Sequence, residues 1–530
     1  MEVEDWIEQI NIPTYGTGKG RKNLMLLKKA TLLPIILFCF GINGAYCQTT
    51  AINNYEILTP KPGPKPRING PIVYGCRPGH PFIYRIPCQG NRPIMFTATG
   101  IPKSLRLDAV TGIISGTAPA KGEYQIILKA RNKAGSAGKT FKIISGDKLA
   151  LTPPMGWNDW YAYFERISDP LLRQAADAML SSGMADVGYQ YVNIDDCWAN
   201  KIKGDKAPDG RKGDERDAKG NILPNSFFPD MKKLTNYIHS KGLKAGIYSS
   251  PGPSTCGGYT GSYQHEEQDA KQFANWGFDF LKYDWCSYGE VAGVDTTLVS
   301  FQKPYRQMGL IVRSLNRDVV FNLCQYGMGD VWKWGASVNG NAWRTAGDLG
   351  GELDKVFDVA LRNAQHGQYS KPGEWNDPDY IQIGYIGDKP ELTKMAPSMQ
   401  YAYMSLWCLM ASPLFYSGDM SKLDAFTLNV LCNPDVIAVD QDPLGESAQV
   451  IIHADSCFLM VKKLADGSKA VGLFNHGKKT LKVTANWNEL HLKGAQTVRD
   501  LWREKKLGVY NHKFSAIVPA QGVVMVQMIK

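Results

Sequence analysis

Histidine is scarce in this chain: eight among 530 residues, and no two stand four apart. The paired imidazoles by which a helix holds a catalytic zinc are therefore missing. No two cysteines are spaced Cys-x-x-Cys, which leaves a zinc ribbon unsupported. There is no Gly-x-Ser-x-Gly turn to present a serine for acyl transfer. No run of like charge resembles the basic stripe of a nucleic-acid groove, although the formal net charge is +10. Part of that charge sits near the amino terminus, in Lys19, Arg21, Lys22, Lys28 and Lys29. Nucleic acid is not expected as a partner. The apolar run from Thr31 to Ile42 is too short to cross a bilayer, which takes about 20 residues. Internal repeats are absent as well.

What is present describes a large globular protein. Hydrophobic residues make up 44% and aromatic ones 11%, enough for several cores, and the length implies more than one domain. The 13 Trp and 25 Tyr suit a sugar-binding protein, since flat rings pack on the C–H faces of sugars, and they equally suit ordinary cores. Residues 1–47 read as an extension followed by a secretory signal. Lys28-Lys29 supply the basic part, with a start at Met25 and cleavage near Cys47. An exported protein, periplasmic or extracellular, is the expectation. Of the cysteines beyond the signal, an odd number remains, so at least one stays unpaired.

Pro60, Pro62, Pro64 and Pro66 make 48–67 a stiff linker. In 68–147 short β-prone runs at 82–86, 94–98, 112–116 and 124–130 alternate with turns and indicate a small β-sandwich. Cys76 and Cys88 are candidates to pair within it. From 149 to 445 strand-like runs alternate with helical ones at 171–182, 231–241, 270–275, 304–315 and 353–365. The strands end at Trp157, Asp195, Tyr248, Asp284, Gln325, Gly347, Asp379 and Ser417. Eight such units predict an α/β fold, a (β/α)8 TIM barrel. A doubly wound sheet would want a Gly-rich phosphate turn after its first strand, and none is there. Residues 446–530 return to alternation and predict a C-terminal antiparallel β-sandwich.

Within the barrel region one stretch stands apart: Phe280-Leu281-Lys282-Tyr283-Asp284-Trp285-Cys286. A buried parallel strand should be nearly all apolar. Here Lys282 and Asp284 are two apart and point to the same side. Charges so placed are costly unless paired or used. They read either as a structural ion pair or as a catalytic carboxylate beside a positioning Lys. Other polar groups also gather at strand ends, where barrel enzymes keep their sites. Asp284 on strand 4 and Asp348 on strand 6, among amide, acidic and aromatic side chains, suggest glycoside hydrolysis. Asp195-Asp196 could be half of a cation site, yet no third hard ligand lies nearby in sequence. Neither a metal nor a cofactor is expected.

Seven motifs, in this order, give the region a family resemblance: Met155-Gly156-Trp157-Asn158, Ile194-Asp195-Asp196-Cys197-Trp198, Lys241 to Tyr248, Leu281-Lys282-Tyr283-Asp284, Trp343 to Asp348, Gly373 to Asp379 and Asp440 to Gly445. Together they resemble glycoside hydrolase family 27, the α-galactosidases and α-N-acetylgalactosaminidases. The phrase Leu107 to Ala118 resembles immunoglobulin-like modules appended to bacterial glycan enzymes. The resemblance implies a retaining double displacement on a terminal α-galactoside. Asp284 would be the nucleophile, Asp348 the acid/base and Lys282 a positioning cation. It places Asp195 and Asp196 on the 4- and 6-hydroxyls of galactose and Trp157 against the sugar's apolar side. Tyr248, Cys256, Arg344 and Asp379 would line the pocket, with a Cys256–Cys286 disulfide beside it. Cys197 and Cys324 lack their family partners. As the acid, Asp348 should lie in surroundings that favour its protonated form.

Galactose-specific members commonly carry Cys-Glu-Trp after strand 5, with the Glu near the 2-hydroxyl; this chain has Cys324-Gln325-Tyr326. Gln325 can still donate and accept there. Gln is larger than the small residue of members that accept N-acetylgalactosamine, which favours galactose. β-L-Arabinopyranosidase activity is the other family alternative, opposed by the intact Asp195-Asp196 pair. A carbohydrate-binding protein with a dead barrel would lack Asp284 or Asp348, and both are present.

Overall fold

Eight short strands of three to six residues form the central sheet. The strands are β1 (Met155–Asn158), β2 (Tyr191–Asn193), β3 (Lys244–Ser249), β4 (Phe280–Asp284), β5 (Val320–Cys324), β6 (Ala342–Arg344), β7 (Trp375–Asp377) and β8 (Leu414–Tyr416). They lie parallel in chain order, with β8 returning beside β1. A parallel bridge between Ile381, beyond β7, and Tyr416 joins the last neighbours. The architecture is the (β/α)8 barrel that the alternation implied. This computed structural model describes residues 56–202, 210–350, 355–454 and 456–530. The expected signal, with Cys47 and the start of the linker, lies outside them.

Alternation along β4 sorts its side chains. Leu281 and Tyr283 point outward into the core beneath the helices. Phe280, Lys282 and Asp284 share the other face. Phe280 packs edge-on to Tyr191 and Phe415, ring centroids 5.6 and 5.2 Å apart, in an apolar cluster that also includes Val320 and Tyr380. A barrel filled this way is a packed core and not a pore. Apolar residues thus close the inside of the barrel, and the charged ones rise toward its C-terminal mouth.

Helices Asp169–Ser181, Met231–Ser240, Glu266–Trp276, Leu298–Ser314 and Val356–Ala364 surround the sheet, within a few residues of expectation apart from longer N-terminal ends on the third and fourth. A further helix, Pro397–Met410, carried no periodic signal because it is buried from Met399 onward. A helix apolar all round is a core helix. This one is wedged against the C-terminal β-sandwich, where Trp502 Nε1 donates to Ser405 Oγ at 2.9 Å.

The N-terminal module has a four-stranded and a three-stranded sheet over one core. It docks on the barrel beside the loop before β5: Arg77 Nε lies 2.9 Å from Asp318 and His80 Nδ1 2.8 Å from the same carboxylate. The pairing of Cys76 with Cys88 is not formed, and both are buried free thiols. Cys76 stands on a strand paired with Gly135–Ser145, whereas Cys88 pairs with Ile68 in a separate two-stranded sheet. The linker also differs from expectation. From residue 56 it is strapped to the protein, with Thr59 and Asn429 exchanging hydrogen bonds of 2.8–3.0 Å. Arg67 pairs with Asp435 and Glu504.

Candidate functional site

A cleft opens at the C-terminal ends of the barrel strands. Asp195, Tyr248, Cys256, Lys282, Asp284, Arg344, Asp348 and Asp379 line it. Asp284 ends β4, buried to 6% exposure. Tyr248 donates to its Oδ2 at 3.1 Å and Tyr326 to its Oδ1 at 2.6 Å. Burial raises the Asp284 pKa above the ordinary carboxylate value, and the charge of Lys282 opposes that rise. Asp348 lies four residues beyond the end of β6 with a side chain 52% exposed, its Oδ1 3.0 Å from Arg344 Nη1. Solvent and the Arg344 guanidinium surround this carboxyl. One buried acid and one exposed acid therefore face the same cleft.

Lys282 is closer to Asp195 than its sequence neighbourhood suggested: Nζ lies 2.9 Å from Oδ2. Burial opposes its charge, yet Asp195 and the other anionic groups around it hold its pKa well above the ordinary value. The same Asp195 oxygen accepts from Asn158 at 2.9 Å and from the Tyr380 hydroxyl at 3.3 Å. Asp379 accepts from Tyr161 at 2.9 Å and from the Leu349 amide at 2.8 Å, and lies 3.2 Å from Arg344. Burial still lifts it to about 6 against the pull of Arg344. Its φ of 100° is in the left-handed region that an Asp enters only under constraint.

Three expected residues stand elsewhere. Trp157 is fully buried in the barrel core, its indole donating to Gly418 O at 2.8 Å. The short helix Trp160–Tyr163 after β1 instead brings Trp160 and Tyr161 to the cleft. Asp196 is buried, accepting from the Gly257 amide at 2.7 Å, and burial lifts it to about 6. Gln325 is buried, and among the described residues neither of its amide atoms has a partner. Tyr326, the next residue, takes its place in the wall. Tyr326 and Tyr380 carried no sequence signal beyond being aromatic at strand ends. Cys256 and Cys286 are joined in a disulfide. Their sulfurs lie within 4.8 Å of an Asp284 oxygen, but bonded to each other they are not thiolate ligands for a cation.

A parallel barrel whose mouth gathers paired carboxylates, a Lys, an Arg and aromatic rings is equipped for glycoside hydrolysis. Comparisons make that specific. The family model "Alpha galactosidase A" matches residues 152–442, and "Alpha galactosidase C-terminal beta sandwich domain" matches 455–528. An Ig domain model matches 68–145. An alpha-galactosidase of Cyamopsis tetragonoloba is 35% identical, over 75% of this chain and 92% of its own. The crystal structure of alpha-galactosidase I from Mortierella vinacea is 31% identical with a TM-score of 0.65, covering 73% of this chain and 99% of that one. A crystal structure from Bacteroides fragilis is 36% identical with a TM-score of 0.80, covering 89% and 99%. The chain belongs to the α-galactosidase family, glycoside hydrolase family 27.

Proposed function

We propose that the chain is an exported, retaining exo-α-galactosidase, with Asp284 as nucleophile and Asp348 as acid/base. The observation that supports this most is the contrast between the two acids in one cleft. Asp284 is buried with both oxygens held by phenols, so its lone pairs are aimed and it cannot rotate. Asp348 stands at the exposed rim, where a leaving group departs and water arrives. Asp284 attacks the anomeric carbon while Asp348 gives its proton to the leaving oxygen. Asp348 then takes a proton from the water that cleaves the glycosyl-enzyme. Asp195, held by Lys282 and Asn158, is a fixed acceptor for sugar hydroxyls, and Trp160 offers the flat wall.

By the family resemblance, Gln325 stands where N-acetylgalactosamine-accepting members carry a small residue, which favours galactose. The short apolar run before Cys47 and the disulfide at the site favour export. The test is hydrolysis of p-nitrophenyl α-galactoside beside the α-N-acetylgalactosaminide and β-L-arabinopyranoside, with NMR of the first-formed anomer. Release of α-galactose from the galactoside alone is expected. A β-configured first product would overturn the double displacement, and preference for another glycoside would overturn the specificity.

A further inference from the structure

The turn after β5 is built at some conformational expense. Tyr326 has φ 62° and Gly327 φ 87°, two successive residues in the left-handed region. An aromatic side chain is uncommon there. At Gly327 a Cβ would come within 2.6 Å of the Thr345 carbonyl oxygen, so glycine is required. The turn swings the Tyr326 phenol into the cleft, 2.6 Å from Asp284 Oδ1, with the Cys256 and Cys286 sulfurs behind it at 3.7 and 4.0 Å. Tyr248 serves the other oxygen from a fully buried position at 3.1 Å. The charge of Lys282 also acts on Asp284, although its close partner is Asp195.

We propose that Tyr326 is a catalytic residue, its phenol binding the charge that Asp284 loses and regains in the two displacements. The proposal rests on the reading of Asp284 as nucleophile. In the first step an Asp284 oxygen bonds to the anomeric carbon, the bond to the leaving oxygen breaks, and the proton of Asp348 goes to that oxygen. The ester so formed is neutral and accepts weakly from a phenol. In the second step water bonds to the anomeric carbon and gives a proton to Asp348. The carbon–Asp284 bond breaks, and its electron pair returns to the carboxylate. Charge reappears where the Tyr326 proton is waiting, so the phenol favours breakdown of the intermediate. It also holds Asp284 ionised against its burial.

The experiment uses the full chain carrying Tyr326→Phe and an aryl galactoside with a good leaving group. Losing a hydrogen bond to a charged group should slow the second step about ten- to a hundredfold. kcat and KM should fall together, a burst of phenolate should precede the steady state, and the acid limb of kcat/KM should move to higher pH. Loss of kcat without burst, with the acid limb unmoved, overturns the proposal and leaves Tyr326 as packing. Should the Phe variant fold poorly, fluorinated tyrosine at 326 keeps the shape and strengthens the donor. The acid limb then moves to lower pH, and no movement again overturns the proposal. Asp284→Gly with azide separates the two readings. Formation of β-galactosyl azide supports Asp284 as nucleophile whatever Tyr326 does, and activity retained without azide removes both.

Discussion

Asp279 and Asp284 are five residues apart, one just before β4 and one at its end, and both are buried. Their surroundings are opposite. Asp279, at the base, faces His239 Nε2 at 2.7 Å, Arg317 Nη1 at 2.6 Å and the Ala245 amide at 3.0 Å. Burial alone would raise its pKa, but His239, Arg317 and Lys244 draw it down to about 2. Asp284, at the mouth, has neutral phenols for contacts, and burial leaves its pKa raised. The base spends its cations on satisfying one carboxylate. The mouth leaves its carboxylate under-satisfied, as a group that must react requires. Charge on Asp279 stabilises the fold, whereas charge on Asp284 opposes it.

The sharpest way to break this contrast is Asp284→Ala, expected to lower kcat on an α-galactoside by several orders of magnitude while thermal melting stays within a few degrees. Next is Asp348→Asn, where steady-state kinetics should show a loss of about 10²–10⁴, less for a good leaving group. At the base, Asp279→Asn leaves Arg317 facing no anion and should cost about 3–5 kcal/mol in urea unfolding, with kcat per folded molecule unchanged.

The pH dependence carries the same sign. Asp279 binds its proton less tightly folded than unfolded, so its contribution is full above the unfolded carboxylate range near pH 4. It is lost as pH falls through about 2. Wild type should lose roughly 2 kcal/mol across that window, a slope the Asp279→Asn variant lacks. The smallest effect is Asp284→Asn, which removes a charge that burial disfavours and should raise stability by about 0.5–2 kcal/mol at neutral pH. A fall in stability there would mean that the mouth is as well satisfied as the base.

Much of this is legible in the sequence. The eight strand ends could be read because polar groups gather at them, and the shared face of Lys282 and Asp284 follows from the two-residue period of a strand. The helix Pro397–Met410 was not legible, since a segment buried on all sides has no polar face to set its period. Within the site, reading failed where the backbone turns sharply. Trp157 and Trp160 look equivalent on paper, and only the short helix after β1 decides which ring meets the cleft. The sequence points to Gln325 and not to Tyr326, because a left-handed residue reverses which neighbour faces inward. Cys76 and Cys88 looked like partners by proximity in sequence, yet strand pairing placed them in different sheets.

The strap formed by residues 56–67 gives the module a mechanical consequence. A hinge needs a length of chain free to take new angles, and here the segment leading into the module is already hydrogen-bonded and ion-paired to the barrel and the C-terminal sandwich. Residues 56–530 should therefore tumble and scatter as one particle. A pull applied to the module passes directly into the barrel, as through a bracket, and not along a leash.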